Sequence, residues 1–297
     1  GVNLWDSSHV SKRSTLEIGQ LTTNQAALIS PAQIAALKAI QIRAFTSADL
    51  NALTTDTFAA IDPFAIQGLS STQLTNLTTV KAGAFTATQV SKLNSSQISK
   101  LSVGDINALS LAAMASISKS AIRGLTTAQL TGLSATNAGA LTSTQVAQLN
   151  STQVGALATA ALNGLTTTAM AAISTTAIRG LTATQMGALS DTNAAALTTN
   201  QVGQLNSTQI GALTSTAINT FNTADFAAIQ PRAIVGLTGT QAGGISATNM
   251  AALSYRQINA ITSAGINGLT TTAFAGINPN SIQGLNATQL TSLLAAN

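Results

Sequence analysis

The sequence of 297 residues contains no cysteine, only 7% charged residues and only 3% aromatic residues. The absence of cysteine excludes disulfides and thiolate-ligated metal sites. Because soluble domains usually carry about 25% charged residues, the polar surface of this chain must consist of Ser, Thr, Asn and Gln. Its 12 basic residues exceed its eight acidic ones, but they are scattered from Lys12 to Arg256. Nucleic-acid-binding proteins cluster such residues on one face, so we expect no nucleic-acid partner.

The chain also lacks the residue groupings that support catalysis or membrane insertion. His9 is the only histidine, and no two acidic residues have the spacing of a catalytic carboxylate pair or a calcium loop. No glycine-rich phosphate loop follows a strand. No apolar run approaches the ~20 residues of a membrane span. We therefore predict no enzyme activity, no catalytic residue, no cofactor, no metal site and no membrane insertion.

An eight-residue repeat runs along almost the whole sequence. Counting in steps of eight from Trp5 to Leu293 gives 37 positions, and all are Leu, Ile, Phe or Trp except Arg13. We call this residue position one of an octad. Position six, five residues later, is always apolar, as at Val10 and Ile18. One register held over this length indicates a repeat array, so we predict a single solenoid domain over residues 5–297 after a tail at residues 1–4.

Each octad has the signals that begin a helix. Position two is Ser, Thr, Asn or Asp in 33 of 36 octads, the exceptions being Lys38, Ala158 and Gln230, and these four types are the preferred N-caps. Position five is often Gln, which is the capping-box spacing. All four prolines occupy position three, the first helical residue. The pattern predicts an all-α solenoid of about 36 short capped helices, one per octad.

A β-solenoid is the competing interpretation, because Thr-x-Thr recurs at positions two and four. However, the apolar spacing alternates between five and three residues, and these odd steps break the alternation of a strand. The frequent Ala and Gln also favour helices. The helical solenoid therefore remains the prediction.

A longer period of seven octads is superimposed on the repeat. Ala replaces a larger residue at position six at Ala26, Ala82, Ala138 and Ala194. The last unit lacks one octad, since residues 277–284 resemble residues 229–236 at a spacing of only six octads. Segment duplication explains the period without any structural meaning. A geometric explanation is a superhelical unit in which seven octads make one turn.

Segments such as Leu141-Thr-Ser-Thr-Gln-Val-Ala-Gln-Leu149 resemble the Leu-Thr-Thr-Thr-Gln-Val-Ala-Ala arrays of large bacterial surface exoproteins and adhesins. The resemblance covers essentially the whole chain. It implies a secreted or cell-surface structural protein of bacteria. The haem-utilisation label that such arrays often carry has no support here, because the chain has one histidine and no cysteine.

These observations lead to the expectation of a self-assembling subunit of a filament, sheath or surface layer. Both ends are apolar and lack a polar capping repeat, so we predict a head-to-tail homopolymer. The predicted assembly contacts are Val2, Leu4, Trp5, Leu290, Leu293 and Leu294. A second interpretation is an adhesin stalk or carbohydrate-binding repeat module with glycan partners. A third is an ice-binding protein, which would need a flat lattice of the regular threonines.

Overall fold

The computed structural model describes residues 7–296, and these residues are all-helical with no strand. They form 32 α-helices and four 3-10 helices, one helical element per octad, which confirms the predicted helical solenoid of short repeats. The chain divides into two compact units, Gly1–Gln148 and Leu149–Asn297. The single domain inferred from the sequence stays a prediction.

The first unit contains 16 α-helices and two 3-10 helices among the described residues. The α-helices are Ser7–Val10, Thr15–Gly19, Thr23–Ala26, Pro31–Ala35, Ala39–Ile42, Ser47–Ala52, Thr55–Ala59, Ser71–Thr75, Thr79–Gly83, Ala87–Val90, Ser95–Ile98, Val103–Ala108, Leu111–Ser116, Thr127–Thr131, Ala135–Gly139 and Ser143–Val146. The 3-10 helices are Ala65–Gly68 and Ile122–Gly124.

The second unit has the same numbers of elements in its described part. Its α-helices are Ser151–Ala156, Thr159–Gly164, Thr167–Ala172, Ala183–Gly187, Asp191–Ala195, Thr199–Val202, Ser207–Ala212, Ser215–Ile218, Thr223–Ala228, Pro231–Ile234, Gly239–Ala242, Ala247–Ala251, Tyr255–Ala260, Ser263–Gly268, Thr271–Ala275 and Ala287–Ala296. The 3-10 helices are Ala177–Gly180 and Ile282–Gly284.

The capping residues act as the sequence predicts. At Thr142, for example, the hydroxyl oxygen accepts from the Gln145 N–H at 3.3 Å, while Gln145 Oε1 accepts from the Thr142 N–H at 2.8 Å. The three octads without a capping residue at position two, those of Lys38, Ala158 and Gln230, have no side-chain cap. The capping box therefore satisfies helix-start N–H groups locally, which a helix of only one or two turns cannot do through its own carbonyls.

The prolines follow the prediction only in part. Pro31 and Pro231 occupy the first residue of an α-helix. Pro63 and Pro279 instead lie in turns that lead into 3-10 helices, so the expected α-helical position is wrong for these two. At these two places Asp62 Oδ1 accepts from the Phe64 N–H at 2.8 Å and Asn278 Oδ1 accepts from the Asn280 N–H at 2.9 Å. These bonds form side-chain turns around the two prolines.

The core consists of positions one and six, as the register predicts. Position-six side chains from Val10 to Ile266 are at most 2% exposed. Position-one side chains such as Leu149 and Leu205 are also buried. All four methionines, Met114, Met170, Met186 and Met250, lie in this core. Because isolated helices of one or two turns are unstable in water, burial of these side chains between successive turns must stabilise each unit.

Successive turns contact each other through residues that are between 25 and 31 positions apart in the sequence. The helix Ala39–Ile42 packs on Ala65–Gly68, and Thr199–Val202 packs on Thr223–Ala228. One turn is therefore about 3.5 octads, and two turns take seven octads. The expectation that seven octads make one turn is wrong. Residues seven octads apart within a unit therefore point in the same direction after two turns, which gives the seven-octad period a geometric basis.

The position-five glutamine also joins one turn to the preceding one. Its Nε2 donates to backbone carbonyls 31 and 28 positions earlier, as Gln185 does to Val154 at 2.9 Å and to Leu157 at 2.7 Å. The same pair of bonds is made by Gln41, Gln73, Gln89, Gln97, Gln129, Gln145, Gln201, Gln209, Gln241, Gln257 and Gln289. We call this arrangement the glutamine bridge.

In three octads whose position five is Lys or Asn, an asparagine of the preceding turn takes over part of this task. Asn163 Nδ2 donates to the Ala188 carbonyl at 2.7 Å, and its Oδ1 accepts from the Ser190 N–H at 2.9 Å. Asn51 and Asn107 make the same two bonds, and the three asparagines are spaced by seven octads. In these three octads the N–H of the capping residue is thus satisfied from the preceding turn.

The glutamine bridge predicts that Gln185→Leu destabilises the protein although it adds apolar volume. The substitution leaves the Leu157 carbonyl and the Thr182 N–H without this partner, and each buried unsatisfied group costs about 1–3 kcal/mol. The Val154 carbonyl keeps its bond from the Leu157 N–H at 3.3 Å. Thermal unfolding followed by circular dichroism should show a clear loss of stability. The exposed Gln283→Leu is the matched control and should change stability little. Equal effects of the two substitutions would contradict the bridge.

Candidate assembly surface

The C-terminal edge of the second unit exposes core positions. Because each turn is covered by residues 25 to 31 positions later, residues beyond about 272 have no following turn within this sequence. Position-six residues Phe274 and Ile282 are accordingly half-buried, and Leu290 is 46% exposed. Leu294 is 82% exposed, and Leu293 is half-buried. The edge is thus a continuation of the core face without a cover.

The last helix has a different form from the others, and the sequence explains why. Ala287–Ala296 has ten residues, whereas the other α-helices have four to six among the described residues. Position two of the final octad is Leu294 rather than a capping residue, so nothing begins a new helix there. The helix therefore continues and carries three predicted contacts, Leu290, Leu293 and Leu294, on one element.

The predicted N-terminal contacts Val2, Leu4 and Trp5 lie outside the described residues. The structure therefore brings together the three C-terminal members of the predicted assembly set and does not bear on the other three.

The remaining surface is mostly neutral and hydroxyl-rich. Position-four threonines such as Thr72, Thr144 and Thr184 are exposed. Large apolar side chains interrupt this surface mainly in the first unit, where Leu16, Ile40, Phe64 and Val80 are each about two-thirds exposed. Exposed apolar side chains are a normal part of a protein surface.

Three of the eight acidic residues have structural roles that the sequence analysis did not predict. Asp49, Asp105 and Asp225 occupy position five and are at most 4% exposed. Each accepts from the N–H of its own capping residue through Oδ2, at 3.3, 2.9 and 3.0 Å respectively. They therefore replace Gln in the capping box. Position five together with a cap at position two was the signal that could have identified them.

Neighbouring groups lower the pKa of one carboxyl group in the first unit, that of Glu17. The Ser14 backbone N–H donates to Glu17 Oε2 at 2.8 Å and lowers the pKa of Glu17 below its ordinary value of 4.5. The Arg13 guanidinium, 2.9 Å from Oε1, lowers the pKa of Glu17 further. This is a capping box with a carboxylate, reinforced by an ion pair one helical turn away.

Among the described residues, no group of three or more His, Asp or Glu side chains has the geometry of a metal site. His9 lies exposed on the helix Ser7–Val10. No helix within residues 7–296 combines the length and hydrophobicity needed to span a bilayer. No family model matches the sequence, and a search of curated proteins finds no significant relative. The resemblance to bacterial exoprotein arrays thus stays a prediction.

The environment of Glu17 predicts a specific pH dependence. Its folded-state pKa lies below the ordinary value, so the ionised form stabilises the fold, and this contribution is lost as the pH falls through the folded pKa. An NMR titration of the Glu17 carboxyl carbon should give a midpoint below 4.5. Arg13→Gln should move that midpoint upward but leave it lowered, because the Ser14 bond remains. A midpoint unchanged by Arg13→Gln would contradict the role of the ion pair.

Proposed function

We propose that this protein is an extracellular structural subunit that assembles head to tail into a filament, sheath or surface layer. The observation that supports the proposal is the exposure of Leu290, whose position six is buried elsewhere, together with that of Leu294 at the C-terminal edge of the second unit. A heterologous contact between two different ends of a chain does not close, and it therefore produces a fibre. The proposal does not require enzyme activity.

The composition supports assembly in an exposed environment. Charged residues are scarce, so electrostatic repulsion between copies is weak. The chain has no thiol that could form unwanted disulfides outside the cell. Caps and glutamine bridges connect the helices of each unit to their neighbours.

The second candidate is an adhesin stalk, and the same observation is relevant to it. In a stalk, further octads of a longer chain would cover the open edge, and no docking of copies would occur. The two candidates therefore differ in whether this chain, expressed by itself, assembles. Negative-stain electron microscopy and sedimentation across a range of concentrations distinguish filaments from monomers.

Replacing the exposed leucines of the edge tests the proposal directly. Burial of a leucine side chain contributes about 1.5–3 kcal/mol, so Leu290→Ser with Leu294→Ser should raise the concentration needed for assembly at least about tenfold. Circular dichroism should remain strongly helical, because only the terminal element is changed.

Ile40→Ser with Leu111→Ser is the matched control, since these side chains are 65% and 50% exposed but lie in the first unit away from the edge. The control should assemble as the unmodified protein does. If the unmodified protein stays monomeric, or if the edge variant assembles equally well, the proposed docking is wrong. Loss of assembly in the control alone would place the contact on the lateral surface.

A further inference from the structure

A glycine packs against the backbone of the preceding turn once in every seven-octad unit. A Cβ atom at Gly68, Gly124, Gly180, Gly236 or Gly284 would lie only 2.0–2.3 Å from the carbonyl oxygen of the residue 29 positions earlier. Successive glycines of this set are seven octads apart, except that the last two are six octads apart, which is the long period with its missing octad. Each of them lies against the preceding turn, and the glycine is required there because no side chain fits.

Next to Gly180 this close approach forms an open, hydroxyl-lined cleft of about 510 Å³. Its lining includes Ser151, Thr152, Thr176, Thr182 and the exposed Arg179. The Arg179 guanidinium donates to the amide oxygen of Gln204, and no acidic residue lines the cleft. The cleft thus combines one cation with several neutral hydrogen-bonding groups.

The Gly180 cleft has one arginine, and the sequence positions equivalent to its lining around Gly68, Gly124, Gly236 and Gly284 include one arginine each. These are Arg43, Arg123, Arg179, Arg232 and Arg256, and the chain has only one other arginine, Arg13, which pairs with Glu17. All five are exposed. None of the positions equivalent to the lining of the Gly180 cleft is acidic in any of the five, but the acidic Asp62 lines the cleft formed by Ala39 and Phe64 at the first of them. Random placement of six arginines would not give this distribution.

The arginine occupies four different lining positions in the five clefts. Arg123 is equivalent to Arg179, but Arg43, Arg232 and Arg256 are equivalent to Gly155, Thr176 and Thr152, which all line the Gly180 cleft. A packing role would hold the arginine at one position. A variable position in a constant cleft indicates that the positive charge itself is needed there.

A sixth close approach supports this distinction. Gly268 packs on Gly239 with the same sequence separation as in the other five contacts, but it lies outside the seven-octad register. None of the residues at its equivalent positions is an arginine. The arginines therefore follow the long period and not merely the presence of a glycine contact.

We propose that these clefts bind an acidic polysaccharide whose carboxylated sugars are separated by neutral ones. An arginine binds a carboxylate with two parallel hydrogen bonds, and Ser and Thr side chains suit sugar hydroxyls. The first cleft departs from the pattern, because Ile40 and Phe64 replace hydroxyl residues. The inference concerns the lateral surface, so it does not depend on assembly through the ends.

The charge spacing favours such a polymer over nucleic acid. Packed helices lie about 8–10 Å apart, so clefts two turns apart within the second unit are about 16–20 Å apart. Double-stranded DNA carries one charge per ~1.7 Å. One arginine per two turns is far too sparse for that charge density, but it fits a polysaccharide in which charged sugars are infrequent.

Pectins of graded methyl esterification test the proposal, because they share one backbone and differ in carboxylate density. The full chain is titrated calorimetrically with partly esterified pectin, fully esterified pectin and duplex DNA at one fixed salt concentration. Partly esterified pectin should bind, and the neutral pectin should not bind measurably. Failure to bind any carboxylated pectin, or equal binding of the neutral one, would overturn the proposal.

The variant for this test combines Arg179→Gln, Arg232→Gln and Arg256→Gln, and the control combines Lys12→Gln, Lys100→Gln and Lys119→Gln. Both remove three charges, but only the first empties the clefts of the second unit. Loss of one charge-assisted contact lowers affinity about tenfold or more, so the arginine variant should bind far more weakly than the control. Equal losses would show attraction by overall charge and overturn the proposal, and tighter, arginine-dependent binding of DNA would identify nucleic acid instead.

Discussion

The amide of the position-five glutamine satisfies two sets of backbone groups at once. Its oxygen accepts from the N–H of the capping residue in its own octad, and its nitrogen donates to carbonyls at the end of a helix in the preceding turn. Short helices leave most of their terminal N–H and C=O groups without intrahelical partners. In the twelve octads with a glutamine bridge, one buried side chain meets part of this requirement both within the octad and between turns.

This bridge also fixes the geometry from which the other features follow. Bonds to residues 31 and 28 positions earlier require about 3.5 octads per turn. Because 3.5 is not a whole number, octads return to the same direction around the axis only after two turns. The asparagine bonds of Asn51, Asn107 and Asn163 and the glycine contacts of Gly68, Gly124, Gly180 and Gly236 follow this double-turn period.

The sequence predicted most of the local structure. Position two, position five and the apolar register were sufficient for the helices, their caps and the core, because these depend on residues within one octad. The number of octads per turn was not predictable, since the register at position one is identical for any superhelix. The second bond of Gln185 was also missed, because the capping box alone explains a glutamine there. Its regular burial, visible only in the fold, shows that the side chain bridges two turns.

Of the two candidate surfaces, the sequence predicted the C-terminal edge but not the cleft arginines. Leu290 and Leu294 stood out in the sequence because an apolar residue replaces the expected polar end of a repeat array. The cleft arginines looked scattered, because they occupy four different positions in the octad and become equivalent only when Gly68, Gly124 and their counterparts are placed against the preceding turn. A functional pattern that follows the surface rather than the register cannot be recognised from the octad alone.

Engineered cysteine pairs test most directly whether one turn contains about 3.5 octads. The test is simple to build because the chain has no native cysteine. Thr216 Oγ1 lies 3.0 Å from Asp191 Oδ1 on the adjacent turn. A protein with Asp191→Cys and Thr216→Cys should therefore form an intramolecular disulfide readily on mild oxidation. A protein with Asp191→Cys and Ala247→Cys, separated by seven octads, should not. Fast disulfide formation in the second protein and none in the first would show that seven octads make one turn, and it would contradict the glutamine bridge as the basis of the fold.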